Sequence, residues 1–304
     1  MAGALLAAFL TCPLPGARAQ DARAYSVVDS TSGRVLMARN PGKRLAVGSL
    51  TNIAAAMVVL DWLDLKKQDI NQPVAIGPEA AAAPENPIGF QVGDQASLRD
   101  LLYAMLLQSD DIAATALAAQ VGRDLPGTTP DETPVQAFVA QMNALARKLG
   151  MRNTLFTDAA GLETNERRLP YSTAADMAIL SRYAMNRSQF RFYVSQKERQ
   201  ISISHQAGGA SQYVLQNTNE LLAVDAIDGV RTGTTRRTGP CVIISAARPP
   251  ESVQVGEKYI ITPRRLVVVV LGSSTRFDAA HQLLESGWQA YDKWAAAGRP
   301  LRGG

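Results

Sequence analysis

"LAVGSLTNIAAAMVVLDW", residues 45–62, reads as a turn that delivers a serine to the start of a helix apolar on nearly every side. A helix with no polar face has nothing to offer water, so residues 49–64 belong at the centre of the fold, with the rest of the chain around them. Ser49 and Asn52 are three apart and share one helix face. A serine at the head of a buried helix is placed like a nucleophile, and one turn later is where its base would sit. Here that residue is an amide, which takes no proton near neutral pH. On chemistry alone, Ser49 reads as a helix N-cap and Asn52 as a polar residue of the first turn.

Working outward, residues 24–39, "AYSVVDSTSGRVLMAR", alternate and turn as a β-hairpin. Residues 71–94 are rich in Pro, Ala and Gly and read as an irregular excursion. Ser97 and Asp100 open a helix with Leu98, Leu101, Leu102, Met105 and Leu106 on its apolar face. Ser109-Asp110-Asp111 interrupts it, and helical character resumes over 112–121. Thr133-Pro134 starts a helix that stops at Gly150, and Thr173 with Asp176 caps another that runs to about Arg187. Residues 228–233, 241–247 and 266–272 are short β-rich runs, with 248–263 as a long hairpin loop between the last two. "LVVVVLG" is uniformly apolar, as in a strand covered on both faces. A final helix over 277–297 carries Trp288, Tyr291 and Trp294. Hairpin, helices, three strands, helix: this order fits an antiparallel sheet whose strands come from both chain ends, with a helical block inserted between them.

Bulk properties exclude several classes. Hydrophobic residues make up 46% and charged residues 19%, the balance of a globular protein with a sizeable core. The net charge of +4 comes from scattered Arg and Lys, which does not make a nucleic-acid stripe. Residues 1–20 read as an export signal: an apolar run from Ala4 to Leu10, breakers at Pro13, Pro15 and Gly16, then Ala17-Arg18-Ala19 before the cut. Thr11 before Cys12 suits a lipoprotein site poorly. After cleavage Cys241 is the sole cysteine, so no internal disulfide forms. His205 and His281 are too few for zinc, no cofactor is suggested, and no apolar run of the mature chain reads as a membrane span.

Three stretches carry chemistry: Ser49-Leu50-Thr51-Asn52, Ser109-Asp110-Asp111 and Arg231-Thr232-Gly233-Thr234. Their order and context resemble the S-x-x-K, S-x-N and K-T-G motifs of penicillin-binding proteins and serine β-lactamases. Within that superfamily the chain is similar to the low-molecular-weight D-alanyl-D-alanine carboxypeptidases. "LGMRNTLFTDAAGL", "STAADMAILSRYAM", "NTNELL" and "IDGVRTGTT" extend the match over roughly residues 24–290. The resemblance implies an α/β fold, the penicillin-binding/β-lactamase-like sandwich: a five-stranded antiparallel sheet flanked by helices, with a mostly helical inserted region. Residues 21–304 are expected to form a single domain with no C-terminal β-domain or membrane anchor, exported to the periplasm or outside the cell.

Each motif departs from the pattern. Asn52 stands in place of the first lysine, Asp111 in place of the asparagine, and Arg231 in place of the second lysine. By resemblance, Arg231 is expected to hold a ligand carboxylate with Thr232 assisting, Gly233 to let the strand approach the ligand, and the N–H groups of Ser49 and Thr234 to form the oxyanion hole. Asn52 and Asp111 are expected to be hydrogen-bonded neighbours. Asp111 then becomes a relocated base for Ser49, directly or through Ser109; the alternative is that Asp110 and Asp111 simply serve the helix start behind them. Glu163 and Glu166 read as solvated. The implied function is a serine hydrolase of peptidoglycan stem peptides, with D-Ala-D-Ala termini and β-lactams as ligands and an acyl-enzyme on Ser49. The alternative is a catalytically impaired member that binds wall peptides or a protein partner; a β-lactamase is a third reading.

Overall fold

The computed structural model describes residues 21–126, 131–163 and 169–299. The leader read over residues 1–20 and Glu166 lie outside the described residues. In chain order the elements are β1 (Ala24–Asp29), β2 (Val35–Arg39), α1 (Asn52–Lys66), β3 (Pro73–Ala75), α2 (Pro78–Ala81), β4 (Gln95–Ser97), α3 (Leu98–Gln108), α4 (Asp111–Gly122) and α5 (Pro134–Lys148). They continue with α6 (Ala174–Met185), α7 (Ser188–Val194), β5 (Glu198–Ser204), β6 (Ala210–Gln216), β7 (Ile227–Thr235), β8 (Gly239–Val255), β9 (Lys258–Leu271) and α8 (Arg276–Ala296).

Five strands form one antiparallel sheet in the order β2-β1-β9-β8-β7, the two chain ends meeting where β1 pairs with β9 (Val27 opposite Val268). The "LVVVVLG" run is the central strand, and it is covered on both faces as its composition predicts. Leu266, Val268 and Val270 pack with Val27, Val242 and Ile244 under α8, whose inner side is Ala279, Ala280, Leu283, Leu284 and Trp288. Val267, Val269 and Leu271 point the other way, into the larger core around α1. From Asn52 to Leu60 every residue of α1 is buried. The segment Gly48–Lys66 is long and apolar enough to cross a membrane, but it is packed inside the protein, as expected of a core helix.

Local signals set the helix ends. Ser97 Oγ accepts the Asp100 N–H at 3.0 Å, Thr133 and Gln136 form a reciprocal capping box ahead of Pro134, and Thr173 Oγ1 accepts the Asp176 N–H. The helix expected to run to about Arg187 is α6, which ends at Met185, and a short further helix, α7, follows from Ser188. Two expectations fail. Residues 248–263 are not a loop: β8 and β9 stay paired, with a register shift between Arg248 and Glu251, out to Val255 opposite Lys258, closed by Gly256-Glu257 with Gly256 at φ +62°. β-branched and aromatic residues (Val253, Val255, Tyr259, Ile260, Ile261) favour that extended ribbon, although it projects beyond β1 and β7 and leaves them exposed. Second, the four-stranded sheet β3-β4-β5-β6 is not anticipated: β3 and β4 are short strands at the two ends of the largely irregular 71–94 excursion, and β5 and β6 come from residues 198–216, to which the sequence reading assigns no element.

α8 approaches the sheet closely at Gly287. A Cβ there would lie 2.7 Å from Val27 Cγ1 and 3.2 Å from Leu266 Cδ1. Gly287→Ala gains about 1 kcal/mol of helix propensity and incurs about 1–3 kcal/mol of overpacking. The overpacking wins: the melting temperature falls, and Gly287→Leu lowers it further, as thermal denaturation followed by circular dichroism will show.

Candidate active site

Ser49 sits in a 3-10 turn, Gly48–Thr51, that feeds α1. β7 lies flush against this turn. A Cβ on Gly233 would meet Val47 O at 2.9 Å and the N atoms of Ser49 and Leu50 at 3.2 Å; one on Gly48 (φ +54°) would meet Thr235 Cγ2 at 2.9 Å. The glycines at both positions therefore allow strand and turn to touch, so the close approach expected of Gly233 is made to the Ser49 backbone.

The side chain of Arg231 fills the space behind that contact. It is 1% exposed, which removes it from the surface where a ligand carboxylate would arrive. Its Nε donates to Ser49 O (3.2 Å), Nη1 to Leu106 O (2.7 Å), and Nη2 to Asn52 Oδ1 (2.7 Å), Met105 O (2.8 Å) and Ser109 Oγ (2.7 Å). Leu106 and Met105 offer carbonyls from the last turn of α3, which have no partner within the helix and carry the negative end of its dipole. Burial pushes Arg231 down to about 9, while Asp111 and Glu85 act to raise it, so it is a cation at neutral pH. The guanidinium thus brings Ser49, Asn52 and Ser109 together, but through protein acceptors; the expected role in holding a ligand is corrected by its burial.

Asn52 is also fully engaged. Its Nδ2 donates to Ala159 O at 3.0 Å while Oδ1 takes Arg231. Ala159 is held by the turn that Asp158 builds, with Oδ1 accepting from the N–H groups of Ala160, Gly161 and Leu162. The expected Asn52–Asp111 hydrogen bond is therefore not formed. Asp111 opens α4, and its Oδ2 instead accepts the Glu85 N–H at 3.3 Å. Asp110 is the N-cap of α4, accepting from Ala113 N at 2.7 Å, the helix-start role anticipated for the pair. Burial, then the charge of Glu85, pushes the Asp111 carboxyl up to about 7; burial pushes Asp110 up to about 6. Ser109 adopts φ +64° at the end of α3, which aims its hydroxyl at Arg231. Among the described residues, no side chain hydrogen-bonds Ser49 Oγ.

Thr232 is buried and shares a 2.6 Å hydrogen bond with Thr218 Oγ1, from the "NTNELL" stretch. Thr234 is exposed. Its hydroxyl and Gly233 O accept from Arg276 Nη1, at 3.1 and 3.2 Å. Arg276 starts α8, is half-buried, and reaches β7 across Cys241 O at 3.5 Å. Sequence reasoning missed it: its place depends on the register of β7, β8 and β9. Glu163, read as solvated, accepts the Arg236 N–H at 2.9 Å.

A family model described as D-alanyl-D-alanine carboxypeptidase matches residues 13–255. The chain belongs to the D-alanyl-D-alanine carboxypeptidase family. It is 31% identical to D-alanyl-D-alanine carboxypeptidase DacC of Escherichia coli over 284 residues, 90% of this chain and 62% of that one. The chain thus spans about three fifths of that relative's length. Among solved structures, the Streptomyces DD-transpeptidase matches with a TM-score of 0.74 at 26% identity, over 88% of this chain and 97% of that one. A penicillin-binding protein from Listeria monocytogenes in its cefotaxime-bound form matches with a TM-score of 0.68, also at 26% identity, over 88% and 97%. The carboxypeptidase fold expected from the three motifs is therefore present.

Two predictions concern this family member's buried charges. Arg231→Ala leaves Asn52 Oδ1, Ser109 Oγ and two α3 carbonyls without their donor, and the loss is expected at about 3 kcal/mol or more, since each charged hydrogen bond contributes about 1.5–3 kcal/mol. Arg231→Lys restores the charge but offers three donors to five acceptors, so urea denaturation should place it between the two. For Asp111, the folded-state pKa lies above the unfolded value of 3.8. The folded state therefore holds the proton more tightly, and stability from this group is lost as pH rises from about 4 to about 7. Asp111→Asn should raise the melting temperature at pH 8 by several degrees, a gain that shrinks toward pH 4.

Proposed function

We propose that this carboxypeptidase-family chain binds the D-alanyl-D-alanine end of peptidoglycan stem peptides without hydrolysing it. The observation that carries this reading is the guanidinium of Arg231 lodged among Ser49, Asn52 and Ser109. A serine attacks an acyl carbon only when a neighbour accepts its proton. A guanidinium donates and does not accept, and Asn52 is a neutral amide. Ser109 already accepts from the cation, and Asp111 is turned to the Glu85 N–H. Candidate binding groups lie beside the Ser49 turn. Arg276, half-buried beside the exposed Thr234, offers the cation and hydroxyl that a terminal carboxylate requires. The apolar leader fits delivery of this receptor to the cell-wall compartment, where such peptides occur.

A second reading, a serine carboxypeptidase that forms an acyl-enzyme on Ser49, is favoured by the contact between β7 and the Ser49 turn. It places the Ser49 N–H beside Gly233 and Thr234, where an oxyanion hole would lie. One experiment separates the two. The protein is titrated with a peptide ending in D-Ala-D-Ala by calorimetry, then incubated with a fluorescent penicillin and weighed by mass spectrometry. The expected outcome is reversible peptide binding, weakened by about 1.5–3 kcal/mol in Arg276→Ala, and no penicillin adduct. An adduct that disappears in Ser49→Ala would establish the acyl-enzyme reading instead.

A further inference from the structure

A hydroxyl–imidazole–carboxylate chain lies on the four-stranded sheet. His205 follows β5 and opens the turn into β6, where Gly208 (φ +96°) and Gly209 (φ +83°) reverse the backbone. The turn is closed by His205 N–H to Gly209 O and Gly208 N–H to His205 O, both 3.0 Å. Ser211, in β6, stands opposite Ile203 in β5. His205 Nδ1 lies 3.1 Å from Asp94 Oδ1, and His205 Nε2 lies 2.9 Å from Ser211 Oγ. Asp94 is buried, and its other oxygen takes the Gln91 N–H at 2.9 Å. Ser211 is exposed, and the imidazole is half-buried between the two.

The hydrogen-bond order selects the tautomer. A buried carboxylate accepts only, so Nδ1 carries the proton that faces Asp94, and a neutral ring then presents its Nε2 lone pair to the Ser211 hydroxyl. The reverse assignment would set an anionic oxygen against a bare nitrogen. This is the arrangement in which an imidazole takes a serine proton while a carboxylate orients it and stabilises the imidazolium.

We propose that Ser211, His205 and Asp94 form an acyl-accepting site, separate from Ser49, that reacts with activated carboxylic esters. Ser211 Oγ bonds to the ester carbonyl carbon as its proton passes to His205 Nε2. The bond from that carbon to the leaving alkoxide breaks, and the alkoxide takes the proton from the imidazolium and departs as the alcohol. Water then attacks the acyl-serine, giving one proton to Nε2; the acyl–Oγ bond breaks, the carboxylic acid leaves, and the proton returns to Ser211. Activated esters are the matching class because an exposed serine meets its substrate at the surface. There, fixed donors contribute least to an oxyanion, and a good leaving group asks least of them.

The test uses the full chain carrying Ser49→Ala, so that Ser49 contributes nothing. It is incubated with a fluorophosphonate, in which the Oγ–P bond forms as fluoride leaves, and digested for mass spectrometry. Hydrolysis of p-nitrophenyl acetate is followed in parallel. The expected result is one adduct on the Ser211 peptide and ester hydrolysis, both lost when Ser211→Ala is added. His205→Gln should label about a hundredfold more slowly with an unchanged melting temperature. Should that variant fail to fold, Asp94→Asn, which keeps a hydrogen bond but favours the wrong tautomer, gives the same comparison. A folded Ser49→Ala protein with no label on Ser211 overturns the proposal and leaves the three residues as a polar clamp on the β5–β6 turn. Labelling that proceeds equally fast without the imidazole overturns it as well.

Discussion

A guanidinium buried to 1% exposure must find an acceptor for its donors, and most of this protein's central geometry follows from how Arg231 does so. Its acceptors come from three parts of the chain: the Ser49 turn with Asn52, the last turn of α3, and Ser109 beyond it. Those segments can satisfy one cation only if β7, α1 and α3 converge at fixed distances. The close approach of β7 to the Ser49 turn, possible because residues 48 and 233 are glycines, is the backbone counterpart of that convergence. The carbonyls at the end of α3 would otherwise be buried without partners, so the cation and the helix end solve each other's problem.

The same interaction changes what the site can do. In the family pattern the resemblance implies, a lysine on the central helix lies next to the serine. The family's strand lysine is here Arg231, and the helix, which has lost its own cation, offers an amide to receive it. The cation that remains near Ser49 is altered in kind, because an ammonium can give up its proton to become a base and a guanidinium does not. The acids answer to that cation. Asp111 and Glu85 favour its charged form, while burial, then the charge of Glu85, pushes the Asp111 carboxyl up to about 7. Asp111 is therefore part of the electrostatic surroundings of Arg231, and its oxygen is committed to the Glu85 backbone.

In the proposed reading, recognition and catalysis come apart. The residues proposed to meet a ligand, Thr234 and Arg276, are exposed and half-buried, and Arg231 and Asn52 behind Ser49 are buried. Arg276 hydrogen-bonds Gly233 O from outside the strand, whereas Arg231 fills the interior side. Two arginines thus take different positions, one half-buried beside Thr234 and one buried behind the strand.

What could be read along the chain was whatever depends on near neighbours. The all-apolar α1, the doubly covered "LVVVVLG" strand and the helix starts at Ser97, Thr133 and Thr173 follow from side-chain periodicity and from caps three residues away. The three motifs, taken in order, pointed to the family and hence to the sheet that joins both chain ends. Where each long side chain would find its partners was not legible. Arg231 could serve a ligand or the protein, and Asn52 could hold Asp111 or Ala159; the sequence permits either. Tertiary structure decided, because the acceptors lie more than a hundred residues away and only packing sets which one is within 3 Å. The β8–β9 ribbon and the placement of Arg276 beside Thr234 belong to the same class: both depend on strand register, which the pairing of distant segments establishes.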